Sequence, residues 1–111
     1  MALPLETTPK EVKQLLDSGE TIFLIDVREP HEYATAKIAN SELVPMRSVP
    51  ANLQTLEEKA DRGRLVVLCH HGMRSLQVAH WLREQGVEAC QSMSGGIDAW
   101  SAEIDPSIPR Y

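Results

Sequence analysis

Two short unbroken apolar runs, Ile22-Phe23-Leu24-Ile25 and Leu65-Val66-Val67-Leu68, constrain the fold of this chain more than any other feature. A strand that is apolar at every position must be covered on both faces, which is the condition of an interior strand in a parallel sheet. Around these runs the apolar residues fall at helical spacing. The pattern is that of an α/β domain with helices packed on both faces of a sheet. Weaker strands are predicted near residues 3–5, 42–44 and 87–92.

The helix signals fit this frame. Thr8-Pro9-Lys10-Glu11 reads as a helix start, with Thr8 to cap, Pro9 where no N–H is needed and Glu11 to complete a capping box. Val12, Leu15 and Leu16 supply the buried stripe, and Gly19 ends it. A second helix turns Leu53, Leu56 and Ala60 inward. A third begins at Arg74 or Ser75, buries Val78, Ala79 and Leu82, and stops at Gly86. After a turn at Gly95-Gly96, the last helix opens with Ile97-Asp98-Ala99-Trp100. The tail beyond Glu103, with Pro106 and Pro109, reads as irregular and packed on the surface. There is no repeat or linker, so residues 1–111 are expected to form a single domain, long enough for one core.

Charge and cysteine usage exclude several classes. Eleven Lys and Arg against 16 Asp and Glu give a net charge of −5, without the basic footprint a nucleic-acid partner needs. The two cysteines, Cys69 and Cys90, have neither CxxC nor paired spacing, so no disulfide scaffold is expected. Cys69, His70, His71 and Cys90 lack zinc-type spacing; no metal and no cofactor is predicted. The opening Met1-Ala2-Leu3-Pro4-Leu5-Glu6 lacks a basic region and a long apolar stretch, and the longest apolar runs are four residues. The expectation is a cytoplasmic protein with no signal peptide and no membrane contact.

The chemistry is read in Cys69-His70-His71-Gly72-Met73-Arg74-Ser75, a loop between the second apolar strand and the third helix. In open α/β sheets, ligands bind just beyond the carboxyl ends of the strands. The helix N-terminus leaves unpaired N–H groups and a partial positive charge beside the sulfur. Gly72 gives the loop the freedom to turn further amides inward as an anion nest. Both features favour the thiolate, which is the nucleophilic form. Arg74 adds a cation able to bind an oxyanion in a bidentate manner. A buried structural thiol is the alternative for Cys69.

This loop resembles the active-site loop of the rhodanese-like sulfurtransferases, whose common form is C-x-x-G-x-[RT]-S. Leu24-Ile25-Asp26-Val27-Arg28-Glu29 with Glu32-Tyr33 is similar to the family's D-[VI]-R-x-x-x-E-[FY] segment. Gly95-Gly96-Ile97-Asp98-Ala99-Trp100 is similar to its closing G-G-x-x-x-W element. The resemblance implies a single-domain, three-layer fold with a five-stranded parallel sheet flanked by helices. It also implies a persulfide mechanism. Cys69 takes sulfane sulfur from a small anionic donor such as thiosulfate and passes it to a thiol, to cyanide or to a sulfur-accepting protein. His70, His71, Gly72, Met73, Arg74 and Ser75 then form the substrate-binding loop, with Arg74 on the sulfonate-like end of the donor. One segment departs from the family: Ala36-Lys37-Ile38-Ala39-Asn40-Ser41 stands where members usually read G-H-I-x-G-A.

The remaining candidates have alternative readings. His70 and His71 are either acid–base groups, tuners of donor choice or rim side chains that contribute backbone N–H. Met73 has the position to shape the pocket entrance. Cys90 is read as structural, with resolution of an oxidised Cys69 as the alternative. Arg28 either lines the pocket or pairs with Glu32 or Glu29. His31 and His80 are read as solvated, and Trp81 and Trp100 as packing residues. A phosphatase or arsenate reductase on the same fold is a competing function. The phosphatase loop reads C-x5-R, however, whereas four residues separate Cys69 from Arg74. The third reading is a persulfide carrier or docking module in a thiolation pathway of molybdopterin or tRNA type. The tail Glu103-Ile104-Asp105-Pro106-Ser107-Ile108-Pro109-Arg110-Tyr111 resembles that of rhodanese domains attached to adenylyltransferases.

Overall fold

The computed structural model describes residues 3–111; Met1 and Ala2, part of the stretch read as lacking a signal peptide, lie outside the described residues. Five parallel strands form one sheet: β1 (Glu6–Thr7), β2 (Ile22–Asp26), β3 (Glu42–Leu43), β4 (Arg64–Leu68) and β5 (Cys90–Met93), in the order β1-β5-β4-β2-β3. Five α-helices connect and cover them: α1 (Pro9–Asp17), α2 (Pro30–Thr35), α3 (Leu53–Arg62), α4 (Met73–Glu84) and α5 (Gly96–Glu103).

The two apolar runs are the adjacent interior strands, paired in register from Ile22 with Arg64 to Asp26 with Leu68. Their side chains divide by the period of two. Ile25, Leu65 and Val67 pack with Leu56, Val78, Ala79 and Leu82 on one face. Leu24, Val66 and Leu68 pack with Val12, Ile97 and Trp100 on the other. This alternation is why both runs had to be apolar throughout.

The connection after β2 leads to β3 at one edge, and that after β4 leads to β5 on the opposite side. The chain therefore reverses direction between β2 and β4. A crevice opens there, at the carboxyl ends that deliver Arg28 and Cys69.

Several boundaries differ from expectation. The first strand lies at Glu6–Thr7 rather than 3–5, because Pro4 has no N–H to give; pairing begins when Ser92 N donates to the Leu5 carbonyl at 2.8 Å. β5 starts at Cys90, since Val87 is used to close α4: its N–H donates to the Leu82 carbonyl and that of Gly86 to Arg83, both at 3.0 Å. Thr8 caps α1 as expected, accepting from Glu11 N at 3.2 Å, but the box is not completed. The Glu11 carboxylate accepts from Thr7 Oγ1 at 2.9 Å instead. α2 was not predicted at all. It has six residues, none of them buried, and so no apolar stripe; its start is marked by Pro30 and by Glu32 Oε1 accepting from Glu29 N at 3.1 Å.

The unusual segment is accommodated without its glycines. Ala36 is extended, and Asn40 takes φ 66°, the left-handed conformation that asparagine adopts more readily than other side chains.

Candidate active site

Cys69 directly follows β4, is 1% exposed, and faces the start of α4. Its Sγ accepts from Gly72 N at 3.1 Å and from Ser75 N at 3.3 Å. The thiol donates to Ser75 Oγ at 3.4 Å, and Ser92 Oγ lies 2.8 Å from that hydroxyl. The expected amides do face the sulfur, that of Gly72 from just before α4 and that of Ser75 from its first turn. Gly72 has φ 105°, in the left-handed region, which turns its N–H inward.

The loop is held open towards the sulfur from behind. Ile97 N donates to the Cys69 carbonyl at 2.8 Å and Asp98 N to the His70 carbonyl at 3.1 Å. The N-terminal turn of α5 thus draws the loop's carbonyls away from Sγ and leaves N–H groups on the sulfur side. Gly96 makes this approach possible, because a Cβ there would sit on the Cys69 and His70 carbonyls.

The charged groups are arranged differently from the sequence reading. Arg74 is committed to Glu32 in a bidentate pair at 2.7 and 3.0 Å. Hydrogen bonding to Arg74 holds the Glu32 carboxyl down to about 2, with further help from Glu29 N and the Tyr111 hydroxyl. The same pair raises the Arg74 guanidinium above its ordinary value. Arg28 does not form its ion pair with Glu32 or Glu29. Fully buried, it pairs with Asp26, Nε at 2.9 Å and Nη2 at 2.7 Å, and also donates to the carbonyls of Ala36 and Glu32.

His70 is half-buried and stacked between His71 and Tyr111, with ring centroids 3.9 Å away on each side. Burial first, and His71 second, push it below its ordinary value, so the imidazole is neutral at neutral pH. Its Nε2 is buried without a protein partner. His71 is exposed, with Nδ1 3.9 Å from Asp98. Met73 is 74% exposed at the rim. Among the described residues there is no cluster of three metal-ligating side chains.

Cys90 is remote from this chemistry. It pairs with Leu65, four residues before Cys69, which places the two cysteines about 13 Å apart along the sheet at the usual rise per residue. A bond between them needs Cα atoms within roughly 7 Å. Resolution of Cys69 by Cys90 within the chain is therefore excluded, and burial pushes the Cys90 thiol up to about 12. Glu32, Ser92, Asp98 and Tyr111 are the site neighbours that sequence reasoning did not assign. The E-[FY] motif contained Glu32, the G-G-x-x-x-W element Asp98 and the tail Tyr111, but none was marked there as a neighbour of the loop, and nothing local signalled Ser92.

Comparison with known proteins gives a consistent result. The family model for the rhodanese-like domain matches residues 8–103. The adenylyltransferase and sulfurtransferase MOCS3-1 of Zea mays is 36% identical over 108 residues, 94% of this chain and 23% of the maize protein. The chain thus spans about a quarter of the length of that relative. YtwF of Bacillus subtilis is 33% identical over 101 residues, which make up 91% of this chain and 94% of that one. A rhodanese-like domain protein from Staphylococcus aureus superposes with a TM-score of 0.79 at 27% identity, covering 97% of this chain and 99% of that chain.

Proposed function

The chain belongs to the rhodanese-like family, and on that premise we propose that it transfers sulfane sulfur through a persulfide on Cys69. The carrying observation is the pair of backbone amides, Gly72 N and Ser75 N, aimed at Sγ from the start of α4. They stabilise negative charge on Sγ before the attack on the donor and again when the acceptor takes the outer sulfur and the thiolate is returned.

With thiosulfate as donor, the Cys69 thiolate attacks the outer sulfur. The new S–S bond forms as the donor's S–S bond breaks, and its electron pair leaves with sulfite. An acceptor nucleophile then attacks the outer sulfur of Cys69–S–S⁻, takes it, and returns the thiolate. Two displacements replace one difficult transfer. His70, His71, Met73 and Arg74 form the rim around the incoming donor. We take residues 1–111 as one rhodanese-like unit working in the cytoplasm, without metal or cofactor.

The acceptor is a thiol, cyanide or a sulfur-accepting protein. A protein acceptor in a thiolation pathway is favoured by the maize relative, whose name joins adenylyl transfer to sulfur transfer. With an adenylylated carboxylate the polarity reverses: the outer sulfur attacks the acyl carbon, and AMP leaves with the electron pair of the broken C–O bond. Two thiols, leaving as a disulfide, then cleave the acyl disulfide to give the thiocarboxylate and free Cys69. The phosphatase reading is disfavoured by the short spacing from Cys69 to Arg74 and by the engagement of Arg74 with Glu32.

Mass spectrometry after thiosulfate treatment tests the proposal. The expected result is one added sulfur on the Cys69 peptide, removed by cyanide and absent in Cys69→Ser. Hydrolysis of a phosphate ester with no sulfur uptake would refute it.

A further inference from the structure

We propose that Tyr111 is a positioning residue of the site, a role that rests on the persulfide reading. From the far end of the chain it fixes both ends of the loop whose amides face Cys69. The loop begins at His70, and the Tyr111 ring lies on that imidazole at 3.9 Å between centroids with the planes 7° apart. The loop runs into the first turn of α4, where Arg74 is clamped by Glu32. The Tyr111 hydroxyl donates to Glu32 Oε2 at 2.8 Å.

The hydroxyl is itself located by a fixed point. It accepts from Arg28 Nη1 at 2.8 Å. The Arg28 side chain is fully buried and anchored on Asp26, at the end of β2. The other Arg28 N–H groups go to Asp26, the Ala36 carbonyl and the Glu32 carbonyl, and Tyr111 provides the remaining acceptor. One hydroxyl thus joins a core cation to the carboxylate that holds the loop.

The tail is led to this position by specific contacts. Ser101 Oγ donates to the Ile108 carbonyl at 2.6 Å, and Arg110 forms a bidentate pair with Asp98 at 3.0 Å. The groups facing Tyr111 are therefore Arg28 after β2, Glu32 of α2, His70 of the loop and, beyond Glu32, Arg74 of α4. A ring covering apolar surface alone would need none of these polar partners. Misplacing a reacting geometry by an ångström can cost up to about a hundredfold in rate, so a residue that sets the loop's position acts on the reaction.

The test follows the two amides directly. Backbone hydrogen exchange is measured by NMR in the wild type, Tyr111→Phe and Tyr111→Ala, and persulfide loading from thiosulfate is timed in the same three proteins. In Tyr111→Ala, exchange at Gly72 and Ser75 is expected to quicken about tenfold and loading to slow about tenfold, while the β4 amides keep their rates. Tyr111→Phe, which keeps the stack and loses the bridge, falls between. If Tyr111→Ala does not fold, Tyr111→Phe carries the comparison, with a smaller change of the same sign. Unchanged exchange at Gly72 and Ser75 overturns the proposal. Quickening shared equally by β4 overturns it too, since that is a general loss of stability, as does quickened exchange with loading at the wild-type rate. A wild type that takes up no sulfur would instead defeat the persulfide reading, and the exchange rates would still report whether Tyr111 holds the loop.

Discussion

Glu32 and Arg74 show how one neighbour changes what a residue can do. Read in sequence, Arg74 is a free cation at the end of an anion-binding loop. In the fold its guanidinium faces a carboxylate at 2.7 Å, so an anionic donor must compete with Glu32 for it. Glu32→Gln removes the competing charge and should lower the KM for thiosulfate by about threefold to tenfold, as expected for a partly exposed charge freed to meet an anion. Steady-state kinetics would check this; an unchanged or raised KM would mean that Arg74 does not meet the donor. Asn40 carries the opposite lesson. It stands where the family's motif has a glycine and takes the left-handed backbone at φ 66°, a conformation that asparagine tolerates better than most side chains.

At the scale of elements, the site is a junction between α4 and α5. α4 presents amides to the sulfur, while α5 binds the carbonyls of Cys69 and His70 from the other side. Gly96 is the point of closest approach, at φ 58° with no room for a Cβ. Gly96→Ala should therefore cost about 2 kcal/mol or more, from left-handed strain plus overlap with the two carbonyls. It should also slow persulfide loading, because the loop must move to relieve the overlap. Urea unfolding together with loading rates would show this, and wild-type values for both would contradict the junction. The β4-loop-α4 unit was legible because its signals are local: an apolar run, a cysteine, a glycine and a helical stripe. α2 was not, having no buried residue to give it a periodic pattern. The Asp26–Arg28 pair was missed because burial at the end of β2 turns the guanidinium back on its own strand, a direction the spacing of charges does not reveal.

At the scale of the whole molecule, segments from the end of β2 to the tail meet at one crevice, and the titratable groups they bring there give the site a pH dependence. Burial and His71 hold His70 below its ordinary value of 6.5. The unfolded chain takes up that proton near 6.5 while the folded protein resists it, so the stabilisation is complete above 6.5 and is lost as pH falls below it through the folded-state value. Glu32 acts in a separate, lower window, from 4.5 down to about 2. Denaturation midpoints should therefore drop on acidification just below 6.5, and His70→Phe, which retains a ring against Tyr111, should flatten that drop. Equal slopes in the two proteins would remove His70 as the cause. The sequence by itself determined the sheet, its covered faces and the loop that follows β4, because these depend on the periodicity of apolar side chains and on neighbours a few residues apart. Only the tertiary structure decided that Tyr111 stacks on His70, that Glu32 occupies Arg74 and that α5 binds the loop's carbonyls. Those contacts join residues far apart in the chain, and their energies depend on distance and burial, which exist only once the strands have brought the segments together.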